Sequence, residues 1–153
     1  MAEFTYNPIQ LVQPNQQVLL NTTIPCSKGY VLHREGSGIV TLRGIVNNSC
    51  GCFARYQVTF NGNIALPEGA DVNPISIAIA IDGEPVLTSK AIFTPASTDA
   101  YGNVTSTAIV TVPKGCCFNI SVENSSEIPT TPAGSNAPAI NVQNANLVVT
   151  RIA

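Results

Sequence analysis

The chain has 153 residues, a formal net charge of −2 and 44% hydrophobic residues, which predicts one domain with a core of ordinary size. Only 10% of residues are charged, against roughly 25% in an average soluble domain, so Asn, Gln, Ser and Thr must supply the polar surface. Lys and Arg are scattered singly, which excludes a basic footprint for nucleic acid or a membrane surface. The start, MAEFTYNPIQLVQPNQQ, lacks the basic-then-apolar order of a secretory signal, and no stretch approaches the eighteen or so apolar residues of a membrane span. Synthesis in a cytoplasm is expected.

Eleven prolines and eleven glycines punctuate most windows of helix length, and no apolar pattern at three-to-four spacing is sustained, so strands are expected to carry the fold. In residues 1–14, Phe4, Tyr6, Ile9 and Leu11 stand among polar residues. They read as an extended arm able to dock on another protein, or as a frayed terminus. The only histidine, His33, lies in LHREGSG and reads as a loop residue. GIVTLRGIV (38–46) sets Val40, Leu42, Gly44 and Val46 on one face of a strand. In CFARYQVTFNGNIALPEG (52–69) the pair Asn61-Gly62 resembles a hairpin turn, yet Tyr56, Val58, Phe60, Ile64 and Leu66 keep one parity through it. One long strand with a glycine-softened kink is therefore predicted in place of a hairpin.

PISIAIAIDGEP (74–85) alternates Ile75, Ile77, Ile79 and Ile81 with Ser76, Ala78 and Ala80, so both faces are expected to be covered. Asp82-Gly83 then supplies a true turn, followed by a strand over 86–93. Residues 94–103 read as a loop, 104–112 as a strand, PKG as a turn, 117–122 as a strand and 123–138 as a loop. The close, AINVQNANLVVTRIA, is strand-like to its end and is expected to be paired inside a sheet. About eight strands at spacings of roughly 8 to 15 residues indicate an antiparallel sandwich or barrel.

Five cysteines are present. An odd count without an export signal argues against an obligatory disulfide framework, and burial as small apolar residues is the expectation. Cys50, Cys52, Cys116 and Cys117 would hold a soft metal only if their strand ends met, and the single-residue and zero-residue gaps do not match the two to four of a structural zinc knuckle. A disulfide across strands is the other alternative. REGSG is not a nucleophile elbow, because Arg34 stands where the first glycine belongs, and no enzyme signature or cofactor motif is found. Asp71, Asp82, Glu84, Asp99, Glu123 and Glu127 read as solvated loop charge.

The order of GIVTLRG, FARYQVTFNGNIALPEG, PISIAIAIDGEP, STAIVTVPKGCCFNISVEN and NLVVTRIA resembles the compact jelly roll of tumour necrosis factor, the globular heads of complement-type collagenous proteins and bacteriophage capsid accessory and head-fibre proteins. The resemblance covers about residues 15–153 and implies an all-β, two-sheet antiparallel jelly-roll sandwich. It further implies a homotrimer, with the sheet of the first, middle and last strands at the threefold axis. Tyr56, Val58 and Phe60 would then fill the core, while Arg55, Gln57 and Thr59 turn toward neighbouring subunits. Those three are polar where such trimers use aromatic or aliphatic side chains. The small face Ser76, Ala78, Ala80 is a second candidate contact.

No collagen-like G-x-y repeat is present in the sequence. With no export signal expected, the resemblance points to a structural virion protein: a trimeric knob on a phage capsid or fibre head, exposed at the virion surface and contacting the major capsid protein. The alternative is a lectin-like tip offering Tyr101, Asn103 and Asn136 to a host-surface glycan.

Overall fold

The computed structural model describes residues 1–24, 29–47, 50–130 and 136–153. In chain order the strands are β1 (Ala2–Tyr6), β2 (Gln10–Val12), β3 (Thr22–Ile24), β4 (Val31–His33), β5 (Val40–Arg43), β6 (Phe53–Ala65), β7 (Ile75–Ile81), β8 (Glu84–Pro85), β9 (Ala91–Phe93), β10 (Gly102–Pro113), β11 (Cys117–Asn124) and β12 (Ile140–Arg151). One sheet runs β10-β6-β12-β1-β3, with β2 also on β12; the other runs β4-β5-β11-β7-β8, with β9 also on β7. Every pairing is antiparallel. The chain is an all-β jelly-roll sandwich whose first, middle and last strands share a sheet.

Asn61-Gly62 is no turn. β6 pairs residue for residue with β10 from Phe53↔Pro113 to Ile64↔Gly102, straight through Asn61↔Thr105 and Gly62↔Val104. That ladder carries no register shift at Gly62, and the glycine also serves packing. The Phe60 ring lies over it, so that a Cβ at 62 would meet Phe60 Cζ at 2.9 Å. Tyr56, Val58, Phe60 and Ile64 are fully buried, as their parity requires.

The closing strand is less regular. Val142 and Ile140 face the core, then Ala145, Leu147 and Val149 do, so the inward parity changes from even to odd. A bulge between Gln143 and Asn146, with Asn144 at φ 54, absorbs the extra residue.

Asp82-Gly83 is the tight hairpin turn, with φ values of 50 and 84. The strand expected over 86–93 is broken. Residues Leu87–Ser89 form a 3-10 turn between β8 and β9, where Ser89 Oγ receives the Ile79 amide at 3.0 Å. The strand over 38–46 also stops early, at Arg43, leaving Val46 exposed.

Three expectations are corrected by burial. Residues 1–14 are not a free arm: β1 is zipped to β12 from Ala2↔Val149 to Tyr6↔Ala145, β2 pairs with β12 as well, and Phe4 is 1% exposed in the core. Ile9 and Leu11 remain on the surface, and Tyr6 is half-buried. His33 ends β4 instead of lying in a loop. Its Nε2 donates to the Ser37 carbonyl at 3.0 Å, and its Nδ1 hydrogen-bonds with Thr23 Oγ at 2.8 Å. Cys50, Cys52, Cys116 and Cys117 are exposed free thiols, not buried ones, and Cys26 lies outside the described residues.

Because Phe4 belongs to the core, Phe4→Ala is expected to cost about 3 to 5 kcal/mol of unfolding free energy, measured by urea denaturation. A docking arm would lose almost nothing.

Candidate functional site

The two sheets treat their outer faces differently. On the β7–β11 sheet the small face is already covered within one chain. Ala78 is 1% exposed and Ala80 and Ser76 are buried with it. Ser76 donates its amide to Ser126 Oγ at 3.0 Å, its hydroxyl meets Ser125 Oγ at 3.0 Å, and Pro85 pairs opposite Ala80. Ser76, Ala78 and Ala80 therefore do not present a subunit contact, correcting that expectation: side chains shielded by their own chain have no surface left to give.

The outer face of the β10-β6-β12-β1 sheet is open. Antiparallel pairing arranges it in rows: Thr105, Asn61 and Asn146; Thr107, Thr59 and Val148; Ile109, Gln57 and Thr150; Thr111 and Arg55. Arg55 and Gln57 are exposed and Thr59 half-exposed, and the register sets them along the middle of this face. Ile109, 55% exposed, and half-buried Val148 are apolar side chains on a solvent-facing parity. Both escaped the sequence reading, although the lone outward Ile in VTSTAIVTV was its visible signal.

Charge on this face is sparse and engaged. The Arg55 guanidinium lies 4.7 Å from the centre of the Phe53 ring. Glu3 accepts from Asn146 Nδ2 at 2.5 Å. Several neutral groups bond sideways: Thr59 and Thr107 hydroxyls meet at 3.3 Å, and Asn103 Nδ2 donates to Asn61 Oδ1 at 2.7 Å and Asn63 Oδ1 at 3.2 Å. Neutral groups of this kind, some of them already bonded to one another, lose less on drying than free charges.

The other candidate residues are dispersed. Asn103 lies on β10, not in a loop, with its amide nitrogen engaged as above. Tyr101 precedes β10, and partial burial, with Asp99 beside it, pushes its hydroxyl up. Asn136 is exposed ahead of β12. Among the described residues no three His, Cys, Asp or Glu side chains converge to hold a metal ion.

One carboxylate departs from its expected solvated state. Glu123 lies on β11 and is 5% exposed. Burial holds its carboxyl above the usual carboxylate range, the Ser121 hydroxyl at 3.1 Å opposes this, and Glu84 adds to it. Glu127, by contrast, is an exposed partner of Lys90 at 2.5 Å, which lowers it.

No family model matches the sequence, and no curated protein matches it. Among solved structures the chain is similar to the globular domain of zebrafish complement 1qA protein, with 14% identity over 96% of this chain and 94% of that one, at a TM-score of 0.56. It is also similar to Eiger TNF from S. frugiperda, with 11% identity over 100% of this chain and 92% of that one, at a TM-score of 0.60. The fold is thus the jelly roll of the complement globular head and tumour necrosis factor. At these identities the likeness defines the architecture alone.

For Glu123 the folded-state pKa exceeds the unfolded one, so its protonated form stabilises the fold at acid pH and that contribution is lost as pH rises through the folded value. Glu123→Gln is accordingly expected to raise the urea midpoint at neutral pH, with the gain vanishing below the ordinary carboxylate range. A difference independent of pH would contradict the burial argument.

Proposed function

We propose that the chain is a non-enzymatic structural protein, a homotrimeric jelly-roll knob that decorates a bacteriophage capsid or forms a fibre head. The observation that carries the trimer is the open outer face of the β10-β6-β12-β1 sheet, nearly free of unpaired charge and bearing Ile109 and Val148 beside Thr59. Its size is adequate. The four strands, of 12, 13, 12 and 5 residues, at about 3.3 Å per residue and about 4.8 Å apart present roughly 670 Å², near the ~800 Å² each partner gives to a standard interface. The jelly roll resembled here implies a threefold assembly through this same sheet, and closed symmetry would leave no open edge to propagate.

The virion role rests on the resemblance to phage capsid accessory and head-fibre domains. Ile9 and Leu11, exposed between β1 and β3, are the residues of the proposed virion contact that remain available at the surface. The engaged amide of Asn103 gives the glycan-binding alternative no comparable support.

Light scattering is expected to give three times the 16.0 kDa chain mass. Ile109→Arg combined with Thr59→Arg should reduce it to one chain with far-UV circular dichroism unchanged, since guanidiniums meeting at a dried contact repel. A trimer that survives both substitutions would place the interface elsewhere. Independently, the protein should co-sediment with capsids that lack it, and Ile9→Ser with Leu11→Ser should abolish co-sedimentation while leaving the oligomer mass intact.

A further inference from the structure

Cys52 and Cys116 belong to neither the core nor the open sheet face, and the backbone brings them to one end of the sandwich. The turn Pro113–Cys116 carries the chain from β10 to β11, closed by Cys116 N donating to the Pro113 carbonyl at 3.1 Å. The connection between β5 and β6 grips this turn from both of its ends. Lys114 N donates to the Cys52 carbonyl at 2.9 Å, Gly115 N to the Ile45 carbonyl at 3.0 Å, and Gly44 N to the Cys116 carbonyl at 2.9 Å. So close is the contact that a Cβ on Gly44 would stand 2.1 Å from the Pro113 carbonyl oxygen.

The Lys114–Cys52 bond carries the β6–β10 ladder one step past Phe53↔Pro113. Cys52 and Lys114, opposite one another across that step, have Cα atoms about 5 Å apart, and Cys116 follows Lys114 by two residues in a turn whose ends lie within about 7 Å. Parity then selects among the thiols. Ala54, Tyr56 and Val58 face inward from β6, and Ile120 and Val122 from β11, so Cys52 and Cys116 both fall on inward parity at the same open end. Cys117 falls on the outward parity with Asn119, and Cys50 lies two residues beyond the last ladder bond. Both selected thiols are exposed, within reach of a soluble oxidant.

We propose that Cys52 and Cys116 form a redox-controlled intrachain disulfide that ties the β5–β6 connection to the β10–β11 turn. The oxidant is a low-molecular-weight disulfide such as oxidised glutathione. One cysteine thiolate attacks it, forming a mixed disulfide and releasing one reduced thiol, and the second cysteine then displaces the other. Two cysteine thiols become one S–S bond, the oxidant is reduced to two thiols, and the two cysteine protons pass to them. A bond between positions so far apart in sequence restricts the unfolded chain, so the oxidised form resists denaturation.

The full chain would be incubated with oxidised glutathione, denatured, alkylated with N-ethylmaleimide and weighed intact, then mapped as peptides. Of the five cysteines, two fewer than all should be alkylated, and one peptide pair should be joined through Cys52 and Cys116, with a urea midpoint that falls again on reduction. Cys52→Ser and Cys116→Ser should each leave every remaining thiol open to alkylation. Full alkylation of the oxidised wild type, unresolved glutathione adducts, a joined pair involving Cys26, Cys50 or Cys117, or covalent oligomers on a non-reducing gel would each overturn the proposal. The peptide map of the wild-type chain decides the matter even if a variant fails to fold.

Discussion

Hydrogen bonding of β6 to a neighbour on each of its edges is the constraint on which the rest of the molecule depends. Its backbone is committed to β10 along one edge and to β12 along the other. With both edges satisfied, the side chains have only two places to go. Tyr56, Val58, Phe60 and Ile64 enter the core, and Arg55, Gln57 and Thr59 are forced outward. The residues that define the core and those that define the open face are therefore specified by one strand, and a one-residue slip would exchange them. Phe60 lying over Gly62 holds that register where the sequence offers a turn signal.

Among the described residues the two sheets are joined by hydrogen bonds between polar groups rather than by ion pairs. The Tyr56 hydroxyl crosses from the β6 sheet to the Arg43 carbonyl at the end of β5, His33 joins β4 to Thr23 on β3, and Ser106 on β10 donates to the Ser89 carbonyl in the edge turn. Fully buried Asn124 donates to the carbonyls of Val12 and Pro138, at 3.1 and 2.9 Å. Such bonds repay the desolvation of the groups that make them without the larger penalty of buried charge. The same chemistry recurs outside, on the threonine and asparagine rows of the open face. A chain with so few charges thus has an interior and an exterior built from similar parts.

Much of this was legible in the sequence because strand parity is a strict period of two. The unbroken face through Asn61-Gly62, the doubly covered β7 and the hairpin at Asp82-Gly83 all follow from it. What stayed hidden depends on partners distant in sequence. Nothing local distinguishes Phe4 in a frayed arm from Phe4 in the core, since only β12, at the far end of the chain, decides it. The break at Leu87–Ser89 depends on Ser89 meeting Ile79, and burial of Ala78 and Ala80 depends on segments that fold back over them. The bulge in β12 was masked because Asn-rich stretches carry no apolar phase. For the open face, Arg55, Gln57 and Thr59 were named from parity, whereas Ile109 and Val148 join them only through the register of two other strands.

The central claim is that this face is dry in the assembled protein. Hydroxyl-radical footprinting read by mass spectrometry tests it at individual side chains. Ile109, exposed in the single chain, should be protected relative to Leu87 and Ile92, which are 79% and 65% exposed in the edge segment of the other sheet. Oxidation of Ile109 as fast as that of Leu87 would mean that the face stays open to water, and the threefold account would be wrong.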